Sequence, residues 1–249
     1  MAQITHLSKA PITEALIDIR VNPVVEFPEE KFSYLKEILS TDYPEIEIRH
    51  MMQSEFQIFH SPSKVLTNSE NLGVHGYFFK SKDKQNIAQF RKDGFTLNRL
   101  RPYSSWAVIS DEAKNLWKIY SDVLSPDYVT RIAVRYINQM KLKLPVQSIE
   151  DFFMIKSIIP EGLPNQFSSF LHKVVLFDEE TNIEANVIMN LEHIDNSTDS
   201  AVIFDIDVYK KVEFSPDAAE IWQIFEELRN MKNRIFFGYI TEKTVKGFK

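Results

Sequence analysis

The stretch Gln89-Phe-Arg-Lys-Asp-Gly-Phe-Thr-Leu-Asn-Arg-Leu-Arg-Pro-Tyr-Ser-Ser-Trp106 concentrates side chains suited to holding an anion. Arg91, Arg99 and Arg101 flank a tight turn, with Phe95, Tyr103 and Trp106 interleaved. A guanidinium presents a planar fork of donors that matches carboxylate and phosphate, and it stacks on aromatic rings. A second set, Arg131-Ile-Ala-Val-Arg-Tyr-Ile-Asn138, puts Arg131 and Arg135 on one face of a strand and Tyr136 and Asn138 on the other. Arg91, Asn98, Arg99, Arg101, Tyr103, Arg135 and Asn138 are therefore the candidate ligand-binding residues, lining one groove if the two regions are related by pseudo-symmetry. The competing reading is cross-strand ion pairing with Glu14, Asp18, Asp205 and Asp207, which is commoner on antiparallel sheets.

Asp205-Ile-Asp207 sets two carboxylates on one face of a strand, ~6.7 Å apart along it. Acids so placed can hold a divalent cation in phosphoryl or nucleotidyl transfer. Here no glycine precedes them, only Asn196-Ser-Thr-Asp-Ser200, and pairing with Arg131, Arg135 or Arg20 competes for both. The histidines are scattered; even on one unbroken strand His50 and His60 would stand ~33 Å apart, so they cannot share a metal. None of the glycines builds a Rossmann fingerprint or a P-loop, and neither a nucleophile elbow nor H-E-x-x-H occurs. No cofactor is expected.

The chain has 249 residues, 44% of them hydrophobic and 26% charged, with net charge −6 and no cysteine. Disulfides, thiolate nucleophiles and Cys-bound metals are thereby excluded. The acidic balance argues against a nucleic-acid binder. Neither a signal-like start nor an apolar run of ~20 residues is present, so a cytoplasmic location without membrane contact is expected.

The elements that must position these groups alternate in character. Glu14-Ala-Leu-Ile-Asp-Ile-Arg-Val21 has the period of a half-buried strand. Pro28-Glu-Glu30 starts a helix with Phe32, Leu35, Ile38 and Leu39 as its stripe. Strands are expected near Glu45–Phe59, Leu72–Phe79, Asn86–Arg91 and Phe95–Arg101, the last two joined by Lys92-Asp-Gly94, where Asp-Gly supplies positive φ. A long helix follows Ser110. Then come a strand over Arg131–Leu144, a short helix from Ser148, strands near Phe170–Asp178, Ile183–Glu192 and Ala201–Val208, and a helix capped by Ser215 with Pro216 at N1.

Ser110-Asp-Glu-Ala-Lys-Asn-Leu-Trp-Lys-Ile-Tyr120 aligns without gaps on Ser215-Pro-Asp-Ala-Ala-Glu-Ile-Trp-Gln-Ile-Phe225. With the repeated order of elements, this predicts an α+β fold of two similar halves, 1–126 and 127–249. Each is a mostly antiparallel sheet on a long helix, related by a pseudo-twofold within one compact unit. Trp117 and Trp222 should both be largely buried.

Ala10-Pro-Ile-Thr-Glu-Ala-Leu-Ile-Asp-Ile-Arg20, Arg91–Tyr103 with Trp106, Arg131–Asn138 and Phe236-Phe-Gly-Tyr-Ile-Thr-Glu242 resemble the signature blocks of a sporadically distributed bacterial family of conserved hypothetical proteins of about this length. The resemblance spans nearly the whole chain and carries no residue role over to it. The expected function is that of a non-catalytic binding protein, taking a partner protein or an anionic ligand on a sheet face or in the groove between halves. The alternative is a metal-dependent enzyme on phosphate substrates using Asp205 and Asp207. Long sheet edges point to a homodimer.

Overall fold

The computed structural model describes residues 2–24, 28–60, 63–143, 149–155, 162, 169–193 and 199–249. Its strands are β1 (Ile12–Val21), β2 (Glu45–His60), β3 (Ser63–Lys80), β4 (Asn86–Arg91), β5 (Gly94–Leu100), β6 (Val129–Lys143), β7 (Leu171–Asp178), β8 (Ile183–His193) and β9 (Asp199–Phe214). They form one antiparallel sheet of nine strands in the order β2-β3-β4-β5-β1-β6-β9-β8-β7. The helices among the described residues are α1 (Glu29–Leu39), α2 (Trp106–Leu124), α3 (Glu220–Tyr239) and α4 (Glu242–Lys246). β1 and β6, the first strand of the chain and the first strand after α2, pair near the middle of the sheet, with Leu16 opposite Arg135 and Ile17 opposite Val134.

Period-two alternation explains why these segments are strands. On β1, Ala15, Ile17 and Ile19 are fully buried beneath the helices, while Glu14, Asp18 and Arg20 belong to the opposite face. Phe90, Phe95, Leu97, Val134, Phe204 and Ile206 extend the buried layer across the sheet. α2 lies on it through Trp117 and Tyr120, whose rings stand 6.3 and 6.2 Å from Phe95. α3 lies on it through Phe236, stacked 5.9 Å from Phe204. Burying rings of this size is the largest favourable contribution to such a core.

The β4–β5 hairpin forms at Lys92-Asp93 as expected, but only Gly94 has a positive φ, +147°. Glycine is required there for a second reason: a Cβ would come within 2.2 Å of the Ile19 carbonyl oxygen on β1.

Both long helices start elsewhere than the serines suggest. α2 begins at Trp106, because Ser105 accepts the Val108 N–H and caps it, leaving Ser110 buried inside the helix. α3 begins at Glu220, and Ser215-Pro-Asp217 forms a turn closed by Ala218 N–H to the Ser215 carbonyl. The reason is tertiary: Trp117 Nε1 donates to the Pro216 carbonyl at 3.0 Å, which holds that turn against α2. Trp117 therefore sits in mid-helix and is buried, whereas Trp222 lies in the first turn of α3 and is only half-buried. The echo between the two segments is not a common helix register. Ile38 is exposed rather than part of the α1 stripe. Ser148 lies outside the described residues, and Ile149–Asp151 is a single 3-10 turn.

Candidate functional site

Cross-strand register decides which candidates can meet. One row on the face away from the helices runs Asn98, Leu16, Arg135, Asp207, Asn186, and the next runs Thr96, Asp18, Ala133, Tyr209, Glu184. Arg20 and Arg131 sit opposite each other in a third row.

Asp18 organises this face. It accepts from Arg20 Nε at 3.1 Å, Arg91 Nη2 at 3.3 Å, Arg131 Nη1 at 3.1 Å and the Thr96 hydroxyl at 2.5 Å. Arg91 also reaches Asp93 at 3.1 Å, and a short pair joins Arg20 to Asp93. Burial works against the charge on Arg20, but Asp18 and Asp93 outweigh it and raise its pKa. The same balance, with Arg20 and Arg91 outweighing burial, lowers that of Asp93. Arg131 carries the network to the other side of the sheet, meeting Asp207 at 3.0 Å and covering the Tyr209 ring at 4.4 Å. Arg135 forms a two-point pair with Asp205 at 2.5 and 2.9 Å, and the hydrogen bond to Asp205 is the main reason its pKa rises. Asn98 is buried between Glu14, to which it donates at 2.6 Å, and Gln89, from which it accepts at 2.7 Å.

The candidate residues thus fall apart. Arg91, Asn98 and Arg135 share the open face. Arg99 follows Phe95 and Leu97 onto the helix side, where it donates to Asn86 and Gln85 and stands 3.9 Å from Asp83. Tyr103 and Asn138 are also on the helix side: the Tyr103 and Tyr136 hydroxyls are 3.2 Å apart, and Asn138 Nδ2 donates to the Phe204 carbonyl at 3.0 Å. Arg101 is exposed and donates to Gln139 at 3.2 Å, with no carboxylate within 4.0 Å among the described residues. No single groove collects these residues, because strand parity sends neighbours to opposite faces.

Asp205 and Asp207 do point the same way, but each is engaged by a guanidinium, Arg135 and Arg131. Among the described residues no group of three or more His, Asp or Glu side chains is arranged to hold a metal ion.

A charged cluster that the sequence reading passed over lies on the helix side. Lys232 of α3 places its Nζ 4.0 Å from the Tyr136 ring centre and donates to Asn233 Oδ1 at 2.6 Å. Burial, aided by Arg229 one turn earlier, pushes its ammonium down to about 7. Arg229 pairs with Glu226 at 3.1 Å and covers the Trp106 ring at 5.7 Å, and Trp106 Nε1 donates to Glu226 through a short bond. Extending the stripe Ile221, Phe225, Leu228 by one more turn lands on Lys232, and that is the signal that locates it.

No protein-family model matches the chain, and no curated protein matches it.

Proposed function

We propose that this protein is a non-catalytic binding module that docks a partner protein on the open face of its sheet. The observation that carries this reading is the composition of that face. Half-buried Leu16, Ile137 and Ile188 sit among guanidinium–carboxylate pairs whose donors are already engaged. An apolar centre inside a polar, hydrogen-bonding surround is the anatomy of a protein interface. A free anion is served less well, since Arg91, Arg99 and Arg135 each have an acid within 4.0 Å. The space between α2 and α3 is occupied by Trp106, Trp117, and Lys114 lying 5.6 Å over Trp222, which favours the sheet face over an inter-helix groove. The metal-dependent alternative has no supporting geometry at Asp205 and Asp207.

The same reading treats the chain as two similar halves, 1–126 and 127–249, in one unit. Strand order supports it: β1 and β6 are central, β5 and β9 return beside them, and α2 and α3 follow directly.

Photo-crosslinking tests the docking face. A crosslinker replacing Arg135 should trap a partner in the native cell, while one replacing exposed Lys118 on α2 should not. Adducts from Lys118 alone would overturn the proposal. Stabilisation by Mg²⁺ or Mn²⁺ that disappears in Asp205→Ala would favour the metal-dependent enzyme instead.

A further inference from the structure

β7 is the last strand of the sheet and pairs, among the described strands, only with β8. Its open-face side chains are unusually apolar for an edge: Leu171, Val175 and Phe177 are 70%, 58% and 57% exposed. Edges of this kind are templates for strand addition unless something blocks them. Leu191 N–H donates to the Phe170 carbonyl, so residue 170 faces β8. With the unbroken register that follows, the N–H and C=O groups of Leu171, Lys173, Val175 and Phe177 face outward.

We infer that a second copy of this chain adds to β7 by antiparallel pairing across a twofold axis at Val175. Residues opposite each other in an antiparallel pair share a face, so the two residue numbers of each self-pair have the same parity. The register centred on Val175 places Lys173 against the partner's Phe177 on the open face, where the ammonium covers the ring. On the helix side it places His172 against the partner's Asp178. A register centred on Val174 would instead face Lys173 with Val175 and His172 with Leu176, leaving both polar groups against apolar ones. The Lys173–Phe177 contact therefore selects Val175 over Val174 as the axis. Three outward-facing pairs then supply roughly six main-chain hydrogen bonds. The result is a continuous sheet with the open faces of both copies side by side. This inference does not depend on the partner reading above.

The chain has no cysteine, so a single introduced thiol reports the register directly. In Val175→Cys the two thiols would face each other across a hydrogen-bonded pair with Cα atoms about 5.5 Å apart, inside the range a disulfide spans. In Leu171→Cys they would stand ~27 Å apart. Mild oxidation at about 50 µM should convert Val175→Cys to covalent dimer and leave Leu171→Cys monomeric. In sedimentation the unmodified chain should run as a dimer. Val175→Glu, which sets like charges face to face at an exposed position, should run as a folded monomer. A monomeric unmodified chain at about 100 µM would overturn the inference, as would equal crosslinking of both cysteine variants or a Val175→Glu variant that stays dimeric.

Discussion

Asp18 and Lys232 are ionisable groups removed from water on opposite faces of the same sheet, and the chain deals with them in opposite ways. Asp18 is surrounded by Arg20, Arg91 and Arg131, and these pairs tie β1 to β4 and β6. Lys232 has no carboxylate partner among the described residues, and burial instead drives its pKa to about 7. Compensation by partners makes a charge a structural joint; burial without partners makes it a group that titrates near neutrality. The difference shows why Arg20, Arg91, Arg131 and Arg135 on the open face are not free cations. Its guanidinium groups are consumed by the fold, and what remains for a partner is a surface of satisfied pairs around an apolar centre.

Removing Asp18 should break this comparison most severely. Asp18→Asn leaves buried Arg91 with one acid fewer and strips Arg131 and Arg20 of a shared partner. Loss of one member of a buried pair costs about 3–5 kcal/mol, measurable by chemical denaturation. A cost below about 1 kcal/mol would mean that the network is solvent-screened.

Trp117→Ala should be of similar size, about 3–5 kcal/mol, since Trp117 is buried in mid-helix. Trp222→Ala should cost distinctly less because its ring is only half-buried. Equal losses would restore the equivalence suggested by the sequence echo.

Lys232 gives a pH signature. Its folded pKa lies below the unfolded value, so between about 7 and its ordinary value near 10.5 the unfolded chain binds more protons. Its contribution to stability should therefore rise as pH climbs through this window, and the penalty should be complete below about 7. The groups facing it are Arg229 and Asn233 on α3 and Tyr136 on β6, with the Tyr103 hydroxyl bonded to that of Tyr136. Lys232→Met should remove this slope and be more stable than the parent at pH 6, as read from melting temperature across pH. Parallel curves for the two proteins would contradict the assignment.

The smallest effect belongs to Arg135→Ala. Arg135 is half-exposed, and a pair of that kind contributes about 0–1 kcal/mol. The substitution should leave stability nearly unchanged, as read by chemical denaturation.

The strands were legible because alternation at β1, β5 and β6 is a local property, and the parity of Phe95, Leu97 and Arg99 already separates Arg99 from Asn98. The pairing of Asp205 and Asp207 with Arg135 and Arg131 was legible as the competing reading of those acids. Helix starts were less so. Ser215-Pro-Asp217 has the residues of a cap, yet the Trp117 hydrogen bond to Pro216 fixes it as a turn, and that contact spans most of the second half. The meeting of Arg91, Asp18 and Arg131 depends on strand order, with β1 between β5 and β6, which no local pattern encodes. Lys232 was hidden because a lysine amid Asn230, Asn233 and Arg234 reads as solvated until the apolar stripe is carried one turn further.

The open-face arginines Arg20, Arg91, Arg131 and Arg135 are held by the fold's own acids. A double-mutant cycle on Asp18 and Arg91, set beside one on Asp205 and Arg135, tests it most directly. The coupling should be about 2 kcal/mol or more for the buried pair and under about 1 kcal/mol for the exposed one. Coupling near zero between Asp18 and Arg91 would contradict it and return Arg91 to the pool of donors available for an anion.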